Sequence, residues 1–314
     1  DRAVDEAEWV QAEAERTGWP HAIVAYADLM AEDVDVAVRI GGYEAAAAMR
    51  GRLDDVYVGA AGLIGGAFYF FGNKLTITAN LFLRNTVTQW GGGLYVGANT
   101  GGGEFTTAQL AWNVYRENSA GTTGGGFFCD DGATCNSEHE VYDRNCGGNI
   151  LLDSGPGQSG PTVARFDHIT NINARDVGCK EPGHGVIINK VNASADTYRF
   201  VNAIFWGNAP EKDFGVYCDT DCKAMRVTIS HSMVDRRYGT TNGASIAFGD
   251  GIVSPVDPLF ADPGAGDVHL KSTAGRWTPG GFVKDAASSP LLGRGGSRTE
   301  LGAYGNSGEA SRVP

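Results

Sequence analysis

Two short patterns alternate along the middle of this chain, and their alternation restricts the fold more than any other feature. One is a glycine-led apolar run: GGAFYF (65–70), GGGLYV (91–96), GGGFFC (124–129), GGNILL (147–152), GHGVII (183–188) and DFGVYC (213–218), followed by GASIAF (243–248). The other is a β-rich run ending in asparagine: LTITANLFLRN (75–85), AQLAWNVYREN (108–118), EHEVYDRN (138–145), VARFDHITNIN (163–173) and YRFVNAIFWGN (198–208), with MRVTISHSMVD (225–235) as a worn copy. Successive glycine-led runs start 26, 33, 23, 36 and 30 residues apart, and none of the units carries a helical period. Short β runs that cannot bury an apolar face within one unit must stack unit on unit, so the sequence predicts a solenoid whose rungs lie about 4.8 Å apart. The recurrent asparagines are expected to take the left-handed turns between faces and to bond the next coil, while the glycines permit sharp corners.

These units resemble right-handed parallel β-helix proteins of the pectin-lyase-like group. The end of the chain is similar to the terminal segment of such proteins: VDPLFADPGAGDVHLKSTAGRW (256–277), SSPLLGRGG (288–296) and ELGAYG (300–305). The resemblance spans roughly residues 60–305 and implies an all-β, right-handed parallel β-helix of six to eight coils. It carries no activity, because one architecture hosts many chemistries.

Residues 1–57 read differently. VDEAEWVQAEAERTG (4–18) has an acidic amphipathic helix pattern, HAIVAYADL (21–29) reads as a strand, and the Ala-rich stretch 31–55 as partly helical. The stretch ERTGWPHAIVAYADLMAEDV is similar to one β/α unit of amidohydrolase TIM barrels, but no His-x-His pair accompanies it. The expected organisation is therefore an N-terminal α/β cap over 1–57, β-helix coils over 58–250 and an irregular closing segment over 251–314. The cap would cover the sticky edge of the first coil.

Glycine, with 46 residues in 314, is about twice as frequent as the usual ~7%. There is no Gly-X-Y period, and an apolar content of 42% excludes disorder. A net charge of −12 disfavours nucleic acid or an anionic membrane as partner, and no uncharged apolar run is long enough to span a bilayer. The six cysteines form no Cys-x₂-Cys pair and read as disulfides of a secreted or cell-surface protein, with Cys129–Cys135 and Cys218–Cys222 as short-range candidates. A chain beginning at Asp1 with no basic-then-apolar leader reads as a processed or trimmed export product.

Aligning the glycine-led runs puts Gly97, Asp130, Asp153, Asn189 and Asp219 in one column, and Ala98, Asp131, Ser154, Lys190 and Thr220 in the next. Three readings stay open: turn residues at strand ends, a Ca²⁺ shared by Asp130, Asp153 and Asp219, or paired carboxyls for glycoside hydrolysis. β-Helix polygalacturonases pair an Asp-Asp with a later Gly-His-Gly, which this chain resembles at Asp130-Asp131 and at His184 with Lys190. The 53 residues from Asp131 to His184 exceed that family's spacing, and its Asn-Thr-Asp and Arg-Ile-Lys elements are absent.

Counting back from Asn85, Asn118 and Asn145 gives a second column: Arg84, Arg116-Glu117 and Asp143-Arg144, with His168 on the next coil. β-Elimination from a uronic acid needs a cation for the carboxylate and a base for the C5 proton. Arg116 and His168 suit those roles, with Arg84 binding substrate and Tyr115 or Tyr142 donating to the leaving oxygen; ion pairs on a solvated face are the alternative. Trp90, Trp112 and Trp206 lie near strand ends, where exposed rings would stack on sugars and buried ones would pack. The expected partner is an extended polysaccharide, engaged by a lyase or a hydrolase of acidic glycan. The alternative is a non-catalytic adhesive or structural surface protein.

Overall fold

The computed structural model describes residues 66–311, apart from 72–73, 99–104, 156–159, 176–178, 180–182, 191–194, 209–211, 220–222, 241, 279–280, 297–299 and 308–309. The expected N-terminal cap and its amidohydrolase-like stretch lie outside these residues, as does Cys222. Among the described residues there are strands and turns and no helix.

Most of the strands form three stacked parallel sheets. The first holds Phe68–Phe71, Leu94–Gly97, Phe127–Cys129, Ile150–Ser154, Val186–Lys190, Phe214–Cys218 and Tyr238–Thr240. The second holds Lys74–Thr78, Thr107–Ala111, Thr134–Glu138, Val163–Asp167, Thr197–Val201, Arg226–Ser230 and Ile246–Phe248. The third holds Leu81–Leu83, Val114–Arg116, Val141–Asp143, Thr170–Ile172 and Ile204–Trp206. Each coil visits the three sheets in turn, and every pairing among them is parallel, which makes the chain a parallel β-helix.

The register follows the glycine-led repeat for most of its length: Phe68, Leu94, Phe127, Ile150 and Val186 stand opposite one another in succession. It departs from the sequence alignment at the end. Val186 pairs with Phe214, so DFGVYC is displaced by two residues, and GASIAF belongs to the second sheet, the first being completed by Tyr238–Thr240. Glycine is required where coils touch. A Cβ on Gly92 would lie 2.5 Å from the Gly125 carbonyl oxygen, inside contact distance of backbone that has no room to move.

The asparagine-ended runs are two strands each, not one. A single left-handed residue breaks every run between the second and third sheets: Ala79, Trp112, His139, His168, Asn202 and His231. A second left-handed position ends the third sheet, at Arg84, Glu117, Arg144, Asn173 and Gly207. Apart from Asn173, the asparagines at that corner follow the left-handed residue instead of occupying it, because their side chains are committed elsewhere. Asn118 Oδ1 accepts from the backbone N–H of Asn85 at 3.0 Å and from its Nδ2 at 2.8 Å. Its own Nδ2 donates to the Phe82 carbonyl at 2.9 Å and to Asn145 Oδ1 at 3.0 Å. Asn145 repeats this with Asn149, and Asn149 continues to Asn171.

Inside, like stacks on like: Phe82, Tyr115 and Tyr142 rings are parallel with centroids 4.8 Å apart, and Phe166 lies 4.8 Å from Phe200. The outer face of the third sheet is buried over its later coils, whereas Leu81 and Leu83 on its first strand stay exposed. From Phe260 onward the chain folds back along it, and Phe260, Val268, Leu270, Leu291, Leu301 and Ala303 form one buried cluster with Val141, Ile172, Ile204 and Met233. Disulfides join Cys129 to Cys135 and Cys146 to Cys179, and Cys218 is also disulfide-bonded.

Replacing Asn118 by leucine strips the side-chain partners from the Asn85 N–H and the Phe82 carbonyl at once, while Asn145 Oδ1 keeps the backbone N–H of residue 118. Each orphaned buried group costs about 1–3 kcal/mol, so thermal unfolding should show a loss of several kcal/mol. By contrast, Leu81→Ala at an exposed position of the third sheet should cost much less.

Candidate functional site

The first acidic column closes one corner of the solenoid. Register from Cys129–Leu152 onward sets Asp130 beside Asp153, and Asp153 opposite Asn189, which faces Tyr217. The expected member Asp219 therefore falls two residues beyond the column, a consequence of the displaced sixth run. Asp130 is buried and accepts the Tyr95 hydroxyl at 2.7 Å. Asp131 takes the left-handed corner and contacts Asp130, and Asp153 Oδ1 accepts the Ser154 N–H at 2.7 Å. Burial above all, with the neighbouring carboxylates adding to it, holds Asp130 well above the usual carboxylate range and pushes Asp153 up to about 7; burial also raises Asp131. The Cys129–Cys135 disulfide clips the corner shut around Asp130 and Asp131.

Several expected site residues prove to be structural. Lys190 is fully buried and gives its ammonium to Asp196 at 2.8 Å. His184 stands at the opposite end of the first sheet from Asp130, since it precedes Val186 while Asp130 aligns with Asn189. Five residues of strand, about 17 Å at 3.3 Å per residue, separate the two positions, so the Asp-Asp and Gly-His-Gly elements are not brought together. His184 is buried, with Nε2 3.0 Å from the Tyr217 hydroxyl, and burial lowers its pKa.

The second charge column is a chain of ion pairs: Arg84–Glu117 at 2.7 Å, Arg116–Asp143 at 3.1 Å and Arg144–Asp143 at 3.0 Å. Arg116 also donates to the Gly266 carbonyl of the returning tail at 3.1 Å. His168 does not join this column, because it lies at the other end of the third-sheet strands, in register with His139. Tyr115 and Tyr142 are both 0% exposed in the solenoid interior and meet no polymer there. Trp206 packs into the cluster beneath the tail, and Trp90 is partly buried against the first sheet. Among the described residues no three His, Cys, Asp or Glu side chains are grouped as a metal cage.

What the sequence reading overlooked is the outer face of the second sheet. Its strands alternate buried and outward residues, and the outward positions line a groove of about 380 Å³ that runs from Thr78 across to Val201. Gln109, Asn136, Arg165 and Arg199 form one column across it, and Glu138 and Asp167 stand together in the next. Arg165 and Arg199 are exposed register neighbours and form no ion pair among the described residues. In sequence the columns are the second and fourth residues of AQLA, CNSE, ARFD and YRFV, which fall in register when the asparagine-ended runs are aligned.

The groove's margin is the left-handed column. Trp112, 37% exposed, stacks on His139 at 4.1 Å, and His139 lies 5.3 Å from His168. His139 Nδ1 is 2.9 Å from the Ala303 carbonyl oxygen, which only accepts, so Nδ1 carries the proton. Burial lowers its pKa, and the imidazole is neutral at physiological pH. His168 Nδ1 donates to Asp167 Oδ1 at 2.8 Å, and Asn202 Nδ2 donates to the same oxygen at 2.8 Å. These two donors more than offset burial and keep the Asp167 carboxyl below its ordinary range.

Residues 237–295 match the model of a family described as disaggregatase related. That stretch holds the last strands of the first and second sheets and most of the returning tail. No curated protein and no solved structure matches the chain.

The buried carboxyls set a pH dependence. Asp153 and the fully enclosed Glu140, which burial also pushes up to about 7, bind protons more tightly in the folded chain than in the unfolded one. Their stabilisation is complete below the ordinary carboxylate range and is lost as pH rises through about 7. The melting temperature should therefore fall between pH 5 and pH 8, and Asp153→Asn should flatten that fall; an unchanged slope in the variant would remove Asp153 as its source.

Proposed function

We propose that this protein binds an extended acidic polysaccharide along the groove of the second sheet. The observation that carries the reading is the Arg165–Arg199 pair: two exposed guanidinium groups one rung apart, with no protein carboxylate bound to them among the described residues, on a chain of net charge −12. A guanidinium presents a planar fork of donors that fits a carboxylate or sulfate. The neighbouring Gln109 and Asn136 amides offer both donors and acceptors to sugar hydroxyls, and the Trp112 ring at the margin provides an apolar face. The groove lies open along the coil axis, a shape suited to a polymer passing through. The disulfides are compatible with an extracellular protein that would meet such a polymer. Among the described residues no helix is long and apolar enough to cross a membrane.

Titration calorimetry against polygalacturonate, hyaluronan, alginate and a neutral glucan tests this. Binding should be confined to the anionic polymers. Arg165→Gln and Arg199→Gln should each weaken it about tenfold or more, the loss of a charge-assisted hydrogen bond of roughly 1.5–3 kcal/mol. Equal affinity for the neutral glucan, or indifference to both substitutions, would overturn the assignment.

A further inference from the structure

Resting on that reading, the groove holds a pair of carboxyl groups with unequal surroundings. Glu138 and Asp167 face each other in register on adjacent strands, a spacing of about 4.8 Å between strand axes. Both line the groove and both are exposed. Asp167 is fixed: His168 Nδ1 and Asn202 Nδ2 both donate to its Oδ1, which leaves Oδ2 as the oxygen without these donors. Glu138 makes no ion pair or side-chain hydrogen bond among the described residues, so its carboxyl is free to follow a reacting group. One carboxylate is fixed by two donors, and the other is exposed without such partners among the described residues. The acids of the closed corner contrast with them, since Asp130 is buried against Tyr95 and cannot meet a polymer without opening the disulfide-clipped turn.

We propose that Glu138 and Asp167 are the acid/base and the nucleophile of a retaining glycoside hydrolysis, acting on an acidic polysaccharide whose charged group is held by Arg165 and Arg199. Adjacent rungs match the short carboxyl separation of retaining chemistry, whereas inverting enzymes leave room for a water between the two groups. In the first step the Glu138 carboxylic acid gives its proton to the glycosidic oxygen as the C1–O bond breaks, and Asp167 Oδ2 bonds to C1. In the second, the Glu138 carboxylate takes a proton from water, the resulting oxygen attacks C1, and the bond to Asp167 breaks to release the sugar with retained configuration. Water is the only co-reactant, and Glu138 ends protonated as it began. His168 and Asn202 are positioning residues for Asp167.

Polygalacturonate, hyaluronan, chondroitin sulfate and alginate are incubated with the full chain, and reducing ends, ultraviolet absorbance of unsaturated products and binding are followed together. The expected result is new reducing ends on a polymer that binds, without unsaturated products. Glu138→Gln and Asp167→Asn should each slow release by about 10²–10⁴-fold while the chain stays folded and still binds the polymer. Asp167→Gly supplied with azide should yield a glycosyl azide of inverted configuration, a product that a merely structural aspartate would not give. Binding without cleavage, unsaturated products, or full activity in both carboxyl variants overturns this assignment and leaves the binding groove standing. Absence of binding to every polyanion overturns the groove reading, and this inference with it.

Discussion

Every coil of a parallel β-helix must find its backbone hydrogen-bond partners on the coils above and below, because it has none within itself. That requirement fixes the register, and the register makes equivalent residues vertical neighbours. The stacked Phe82–Tyr115–Tyr142 rings, the asparagine ladder and the Gly92–Gly125 contact are three results of one constraint. It acts at the corners too, where the chain leaves one sheet and several N–H and C=O groups lose their strand partners. Asn118 and Asn145 supply side-chain partners there, to the Asn85 N–H and to the Phe82 and Tyr115 carbonyls.

The glycine-led runs were legible because glycine there answers a hard steric demand: nothing with a Cβ fits against the next coil's carbonyl. The first five rungs fall where the spacing of those runs sets them. Legibility ended at DFGVYC, where an aspartate stands in for the leading glycine and the register moved by two residues, taking Asp219 out of the acidic column. The corner between the second and third sheets was invisible for a different reason. Its left-handed residues are Ala79, Trp112, three histidines and Asn202, and only the last belongs to a type that signals positive φ. Stacking of Trp112 on His139, and the Ala303 carbonyl on His139, hold that conformation through contacts that no local pattern encodes.

The same distinction separates the two charged regions. Acids that look catalytic in sequence, Asp130, Asp131 and Asp153, lie at a disulfide-clipped corner where Tyr95 bonds Asp130, the Ser154 N–H bonds Asp153, and Asp131 meets Asp130 and the Gly155 backbone. The arginines that look available at Arg116 and Arg144 are spent on Asp143 and Glu117, and Arg116 is pinned by the tail. The tail shields the third sheet by burying its apolar outer face, which leaves the second sheet as the face with outward polar columns and a groove. Exposure, more than residue type, therefore distinguishes groups that hold the solenoid together from groups that can act on something else.

Charge geometry within the groove sharpens that distinction. A net charge of −12 repels a polyanion at a distance, but at physiological ionic strength such repulsion decays over about 8 Å. Contact is then decided locally, by Arg165 and Arg199 in one column and by Glu138 and Asp167 in the next. Two columns of opposite sign on one face tolerate a polymer only if its own charges sit over the arginines and an uncharged linkage passes over the carboxylates. Under the proposed binding reading, the arrangement would select for spaced charge along the ligand and would set an uncharged bond between sugars where the two carboxyl groups stand.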